Sequence, residues 1–211
     1  MPRKPLIRSL DFPYHIYNRS NNKEWFCLPI DVTWHIFLKK LKKTQEMYGL
    51  QVHQFVLLNN HYHLSASTPN LNISDCMCYF QREVTKEINK YTGQINHVFG
   101  GRYKWSLVTA ERYFFHLYRY IYQNPVRSKL CEMVQQYKYT TVHQKLGCNL
   151  AIHTIPHFFE HETIPEKRED YLIYLNEVVP NEHSEVIKRG LKNKTFKIPK
   201  TKSGRLYREL L

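Results

Sequence analysis

No apolar run in the 211 residues approaches the roughly 20 that a membrane-spanning helix needs, which excludes a membrane partner of that kind. The opening stretch MPRKPLIRSLDFPY is basic but holds no apolar core of signal-peptide length, so the expectation is a cytoplasmic protein. Cysteine is sparse: there are five, an odd number, with no C-x-x-C pair. Cys76 and Cys78 lie two apart, while Cys27, Cys131 and Cys148 stand alone, and all five read as reduced thiols. With 7 Gly and 10 Pro, collagen-like and low-complexity classes fall away. Acidic residues are also scarce, 18 against 31 Lys and Arg, for a formal net charge of +13.

Hydrophobic residues make up 42% of the chain, enough for a packed core, so global disorder is excluded. The length suits one domain, or one domain with an appendage. The charge divides the chain in the same way. Residues 1–150 carry 20 basic and 9 acidic side chains, 151–185 carry 2 and 8, and 186–211 carry 9 and 1. The division is therefore a body over 1–150 followed by an acidic linker and basic C-terminal extension over 151–211. A basic body with a basic tail points to a polyanion, nucleic acid first. Aromatic residues at 14%, with 16 Tyr, suit base stacking.

Periodicity supplies the elements. PYHIYN (13–18) reads as a strand, and Asn18–Lys23 as a turn-rich loop. Trp34, Phe37, Leu38, Leu41 and Tyr48 recur at helical spacing, predicting a helix capped by Asp31 and stopped by Gly49. LQVHQFVLL (50–58) and HYHLSAS (61–67) read as a hairpin about Asn59-Asn60. Ser74 is placed to cap a helix through Tyr91, which Thr92-Gly93 ends. FGGRYKWSLVT (99–109) reads as a strand or hairpin, and Glu111–Asn124 as an aromatic helix ended by Pro125. Helices are predicted over 167–178 and 183–193, with 194–205 extended or mobile. The order βαββαβ predicts an α+β, ferredoxin-like sandwich with an antiparallel sheet, followed by the aromatic helix and the extension.

Three features can carry chemistry. His61 and His63 flank Tyr62 on a strand, so both imidazoles face one side and together can hold a divalent cation. On the aromatic helix, Tyr120 and Asn124 are four apart and share a face. A tyrosine there can attack a phosphodiester, and an amide four residues on can join a metal touching the same phosphate. Helical geometry alone does not choose among Tyr113, Tyr118, Tyr120 and Tyr122. A scatter of cations, Arg102, Lys104, Arg112, Arg119 and Arg127, surrounds that helix in sequence and can grip phosphate.

NNHYHL (59–64), GGRYKW (100–105) and RYIYQNPVRSKL (119–130) together resemble the single-tyrosine HUH transposases, most closely the REP-associated tyrosine transposase branch with its IS200-like, transposase-17 domain. YHIYNRSNN (14–22) resembles the family's first strand and loop, and YKYTTVHQKLG (137–147) the end of its domain, so the likeness spans residues 10–147. The resemblance implies an enzyme, a transposase cutting single-stranded DNA that carries hairpins. His61, His63 and Asn124 would hold Mg²⁺ or Mn²⁺, and Tyr120 would attack to leave a 5′-phosphotyrosine and a free 3′-OH, the chemistry of DNA transposition. Gln123 points roughly 100° away from Asn124 on a helix, so Asn124 is the preferred ligand. Arg19, Arg102, Lys104, Arg119 and Arg127 are the expected DNA contacts. Family precedent allows a monomer or a homodimer. The alternative on the same fold is a catalytically silent or domesticated DNA-hairpin-binding protein.

Overall fold

A computed structural model describes residues 5–95 and 97–198. Strands β1 (Tyr14–Arg19), β2 (Gln51–Leu57), β3 (His61–Ser67) and β4 (Lys104–Leu107) form one sheet in the order β2-β3-β1-β4. Every pairing is antiparallel. With α1 (Ile30–Tyr48) after β1 and α2 (Ile73–Thr92) after β3, the order is the βαββαβ expected of a ferredoxin-like sandwich.

Alternation along β3 decides which face meets which layer. Tyr62, Leu64 and Ala66 join Tyr14, Ile16 and Phe55 in a core closed by Phe37 and Leu41 of α1 and Phe80 and Val84 of α2. His61, His63 and Ser65 therefore face the other way, and the register sets Arg19 opposite His61, Tyr17 opposite His63 and His15 opposite Ser65. The second face of the sheet is thus polar along its two central strands.

Both helix starts come two residues earlier than the sequence expectation. Pro29, not Asp31, is the N-cap of α1, and Asn72, not Ser74, that of α2. Asp31 lies in the first turn instead, where its charge suits the helix dipole, and its carboxylate accepts the Tyr139 hydroxyl at 2.8 Å. Gly49 and Gly93 close both helices in the left-handed conformation, as expected. Of the stretch 99–109 only β4 is a full strand; Phe99 makes a single bridge to Ser20. The aromatic helix is also shorter than expected. α3 covers Glu111–Tyr122, and after Gln123 the short α4 (Asn124–Arg127) takes Pro125 into its first turn, where a missing N–H costs nothing.

The remaining helices, α5 (Val142–Lys145), α6 (Phe158–Thr163), α7 (Arg168–Asn176) and α8 (Asn181–Gly190), follow in the C-terminal part. Phe114, Leu117, Tyr118 and Ile121 of α3 share a second core with Phe159, Tyr171, Leu175, Val186, Ile187 and Phe196. α7 and α8 lie within two or three residues of the expected helices. After α8 the chain runs along the open edge of β4: the Leu107 amide donates to the Lys194 carbonyl and the Phe196 amide to the Leu107 carbonyl, each at 2.7 Å. Glycine at 190 permits this return, because a Cβ there would stand 2.6 Å from the Lys197 carbonyl oxygen. The rest of the stretch expected to be extended, 199–205, lies outside the described residues, as does the basic end of the tail. No described helix is long and apolar enough to cross a membrane. All five cysteines are free.

Candidate active site

The polar sheet face, the junction of α3 with α4, and the C-terminal end of α8 enclose a cavity of about 360 Å³. Its lining brings together His61, His63, Tyr120 and Asn124, with Arg19 and Arg127 beside them. Strand alternation supplies the histidines and Arg19; the helical i, i+4 spacing supplies Tyr120 and Asn124.

Hydrogen bonds fix the free nitrogen of His61 and constrain that of His63. The Asn60 side-chain amide donates to the Lys23 carbonyl at 2.7 Å, so its Oδ1 faces the Nδ1 of His61, also at 2.7 Å. His61 must donate from Nδ1, which leaves the Nε2 lone pair bare. The Nδ1 of His63 meets the Nε2 of His15 at 2.9 Å. For His63 to offer an Nε2 lone pair, its Nδ1 must donate to His15, which then carries its own proton on Nδ1. That atom of His15 is buried with no hydrogen-bond partner. The rings of His61 and His63 lie 5.3 Å apart, nearly perpendicular. Burial holds all three imidazoles neutral: His61 is pulled down to about 4 and His15 to about 3, and His63 is lowered too, with neighbouring His15, His61 and Arg127 adding to the effect. Neutral imidazole is the form that ligates a metal.

Asn124 is equally constrained. Its Nδ2 donates to the Tyr120 carbonyl at 2.9 Å and the Ile121 carbonyl at 3.1 Å, leaving Oδ1 as the unengaged end. Two imidazole lone pairs and an amide oxygen make a mixed donor set that can hold a divalent cation, the imidazoles suiting a first-row transition metal and the amide oxygen a harder ion. Among the described residues no group of three His, Cys, Asp or Glu side chains could hold a metal, so the amide is integral to the fit. Gln123, one residue earlier, turns away and donates to the Leu175 and Glu177 carbonyls, both at 2.8 Å.

Tyr120 is 5% exposed, its ring edge-on to His63 at 6.0 Å. Burial raises its phenol to about 12, and the Arg127 guanidinium works against that rise. Arg127 stands 4.1 Å from the Tyr120 ring centroid and donates to the Tyr120 carbonyl at 2.8 Å. The other three tyrosines of α3 point elsewhere. Tyr118 and Tyr122 are sealed in the second core, and Tyr113 packs on Phe196.

The expected DNA contacts divide. Arg19 and Arg127 line the cavity, and Lys104 lines its neighbour beside β4. Arg102 lines a separate hollow with Arg82 and Lys86. Arg119 is buried, ion-paired with Glu177 and set against the packed rings of Phe115 and Tyr174, away from the cavity. Six lining residues escaped the sequence reading: His15, Tyr17, Ser128, Lys188, Leu191 and Lys192. His15 and Tyr17 share a face with Arg19, spaced by two on one strand, but only the pairing register sets that face beside His61 and His63. The lysines had no local signal, because only the return of α8 to the sheet brings them in.

No protein-family model matches the sequence, and no curated protein matches it. Among solved structures, a REP-associated tyrosine transposase bound to a REP hairpin superposes with a TM-score of 0.56 at 17% identity, covering 74% of this chain and 91% of that one. A protein of Deinococcus radiodurans R1 described as a transposase aligns over 57% of this chain and 94% of its own, with a TM-score of 0.39 at 15% identity. The first likeness establishes a shared fold.

Proposed function

We propose that this chain is a transposase-type DNA strand transferase that cuts single-stranded DNA beside a hairpin and holds the cut end on Tyr120. The observation that carries the reading is the convergence of Tyr120, Asn124, His61 and His63 on one cavity, on a fold shared with a tyrosine transposase bound to a hairpin. His61 and His63 through Nε2, and Asn124 through Oδ1, would hold Mg²⁺ or Mn²⁺. When bound, the ion supplies Lewis-acid polarisation of a phosphate oxygen and a template for the scissile bond.

The chain's own groups do the rest. Tyr120 rests as a neutral phenol, since its pKa stands near 12. A phosphate entering the cavity meets Arg19, Lys188 and Lys192, cations that offset its charge and favour the developing phenolate. Arg127, over the ring, acts in the same sense. The Tyr120 oxygen bonds to phosphorus as the bond from phosphorus to the 3′ oxygen breaks, and the phenolic proton ends, net, on that 3′ oxygen. One phosphoester replaces another, so an incoming 3′-OH reverses the step and joins strands without an external energy source. The tyrosine and histidines line the cavity of a single chain, which supports catalysis by one copy.

Labelled single-stranded oligonucleotides carrying the hairpins that flank the gene test this reading when incubated with Mg²⁺ or Mn²⁺. The expected products are a fragment with a polymerase-extendable 3′-OH and a denaturant-resistant protein–DNA band, both lost with EDTA and with Tyr120→Phe. Binding to those hairpins with neither product, in either metal, would replace the enzyme with a silent hairpin binder.

A further inference from the structure

The hairpin tip that leads into His61 is tied to the loop after β1 at three points. The Ser20 amide donates to the Asn60 carbonyl at 2.8 Å, and the Phe26 amide to the Asn59 carbonyl at 3.1 Å. The third tie is a side chain: the Asn60 Nδ2 donates to the Lys23 carbonyl at 2.7 Å. A carbonyl accepts and cannot donate, so this bond decides which end of the carboxamide is which. Its nitrogen faces the loop, and its oxygen faces the Nδ1 of His61 at 2.7 Å.

The loop is shaped to present that carbonyl. It makes a short 3₁₀ turn over Asn21–Lys23, and both Asn22 and Lys23 take left-handed backbone, with φ of 53° and 63°. Asparagine tolerates that region, and lysine enters it at a cost. The Asn21 amide donates to the Val98 carbonyl at 2.9 Å and the Glu24 amide to the Asn21 carbonyl at 3.2 Å, which pins the turn on both sides. Strain of this kind persists where surrounding bonds over-determine it. Here the chain of bonds runs from the strained turn through Asn60 to an imidazole of the catalytic cavity.

We propose that Asn60 is a positioning residue for the candidate metal site: oriented by the Lys23 carbonyl, its carboxamide oxygen keeps His61 in the Nδ1–H tautomer and its Nε2 bare for a cation. The inference rests on the strand-transferase reading for its purpose, while the tautomer itself belongs to the metal-free protein. Without the Asn60 oxygen the proton is free to sit on either nitrogen, and a molecule carrying it on Nε2 has no lone pair there to offer. His63 lacks such a partner, since the nitrogen of His15 that it faces can donate or accept. Asn60 therefore gives the site one imidazole whose free nitrogen is fixed before any ion arrives.

The test is nitrogen-15 NMR of the imidazoles in EDTA near neutral pH, where His61 is uncharged. Correlations from the ring protons separate a nitrogen that bears hydrogen from a bare one. In the wild type, His61 is expected to carry its proton on Nδ1. Asn60→Gly removes the carboxamide and leaves an Asn-Gly pair in the turn, the dipeptide that two-residue hairpins favour, so the hairpin itself is spared. This variant is expected to show His61 as a mixture of tautomers and to lose Mn²⁺ affinity about 10–100-fold by calorimetry. Asn60→Asp returns an oxygen to the Nδ1 of His61 and is expected to restore both. His53, whose Nδ1 donates to the Ile155 carbonyl, is the internal control for the fold and keeps its signature in every variant. A wild-type His61 protonated on Nε2, a His61 signature unmoved by Asn60→Gly, or unchanged Mn²⁺ affinity in that variant would overturn the assignment. The tautomer is read without DNA, metal or Tyr120. A protein that forms the covalent product while His61 ignores Asn60 keeps its activity and loses the positioning residue, and the reverse result removes the activity alone.

Discussion

At the scale of single residues, the protonation of His63 turns on His15. One nitrogen of His63 faces His15, so the direction of the bond between them sets whether the other carries a lone pair for a ligand. Replacing His15 with Phe keeps an aromatic ring in the stack with Tyr17 and His63 but removes the nitrogen acceptor. The expected result is a roughly 10–100-fold loss of Mn²⁺ affinity, read by calorimetry, with thermal stability little changed. Unaltered Mn²⁺ affinity would remove His15 from the site. That His61 and His63 share a face, and Tyr120 and Asn124 another, was legible because each pair is local, two residues apart on a strand or four apart on a helix; that Tyr120 and not Tyr113, Tyr118 or Tyr122 is the residue to watch came only from the family resemblance. His15 needed the pairing register as well, which a single sequence does not state. Arg119 shows the opposite limit. Its place on α3 put it among the expected DNA contacts, yet whether an arginine reaches a cavity or pairs with Glu177 depends on which neighbour covers that side of the helix.

At the scale of elements, β2 carries a buried histidine that links it to the chain beyond α5. The His53 Nδ1 donates to the Ile155 carbonyl at 2.6 Å, and its Nε2 lies 3.0 Å from the Ser67 hydroxyl on β3. Burial lowers its pKa to about 4. The unfolded chain, with the ordinary value near 6.5, binds that proton more readily. Stability is therefore lost as pH falls from about 6.5 towards about 4, at a slope of about 1.4 kcal/mol per pH unit for the one group. Urea midpoints at pH 7.5, 6 and 5 measure the slope, and His53→Gln is expected to reduce it. An identical slope in that variant would contradict the assignment. The alternation of β3 and the apolar stripes of α1 and α2 made these elements readable. Their exact starts were not: the chain enters α1 from Pro29, ahead of the favoured cap Asp31, and α2 from Asn72, which capping rules favour as much as Ser74.

At the scale of the whole molecule, the chain past residue 150 closes over α3. Phe159, Tyr171, Leu175 and Phe196 complete the core on the side of α3 away from the first layer of helices, and Glu160 and Lys145 pair at 2.6 Å within it. Body and extension are therefore expected to melt in one transition, with calorimetric and van't Hoff enthalpies equal. Two resolved transitions would show that α3 keeps its place without the extension. The charge pattern showed that the C-terminal part differs from the body, but not that it packs against it. Its apolar residues, such as Phe159 and the run Tyr171–Leu175, find their partners on α3, which lie far back along the chain.

The mechanism requires that Tyr120, and no other tyrosine, bonds to the cut strand. Peptide mapping of the covalent product formed with Mn²⁺ and a hairpin-bearing oligonucleotide, after nuclease and trypsin digestion, reads this directly. Cleavage after Arg119 and Arg127 releases Tyr120–Arg127 as one peptide holding both Tyr120 and Tyr122. The expected result is a nucleotide phosphate on that peptide, with fragmentation assigning it to Tyr120. A modified Tyr17, Tyr122 or any other residue, with Tyr120 untouched, would contradict it.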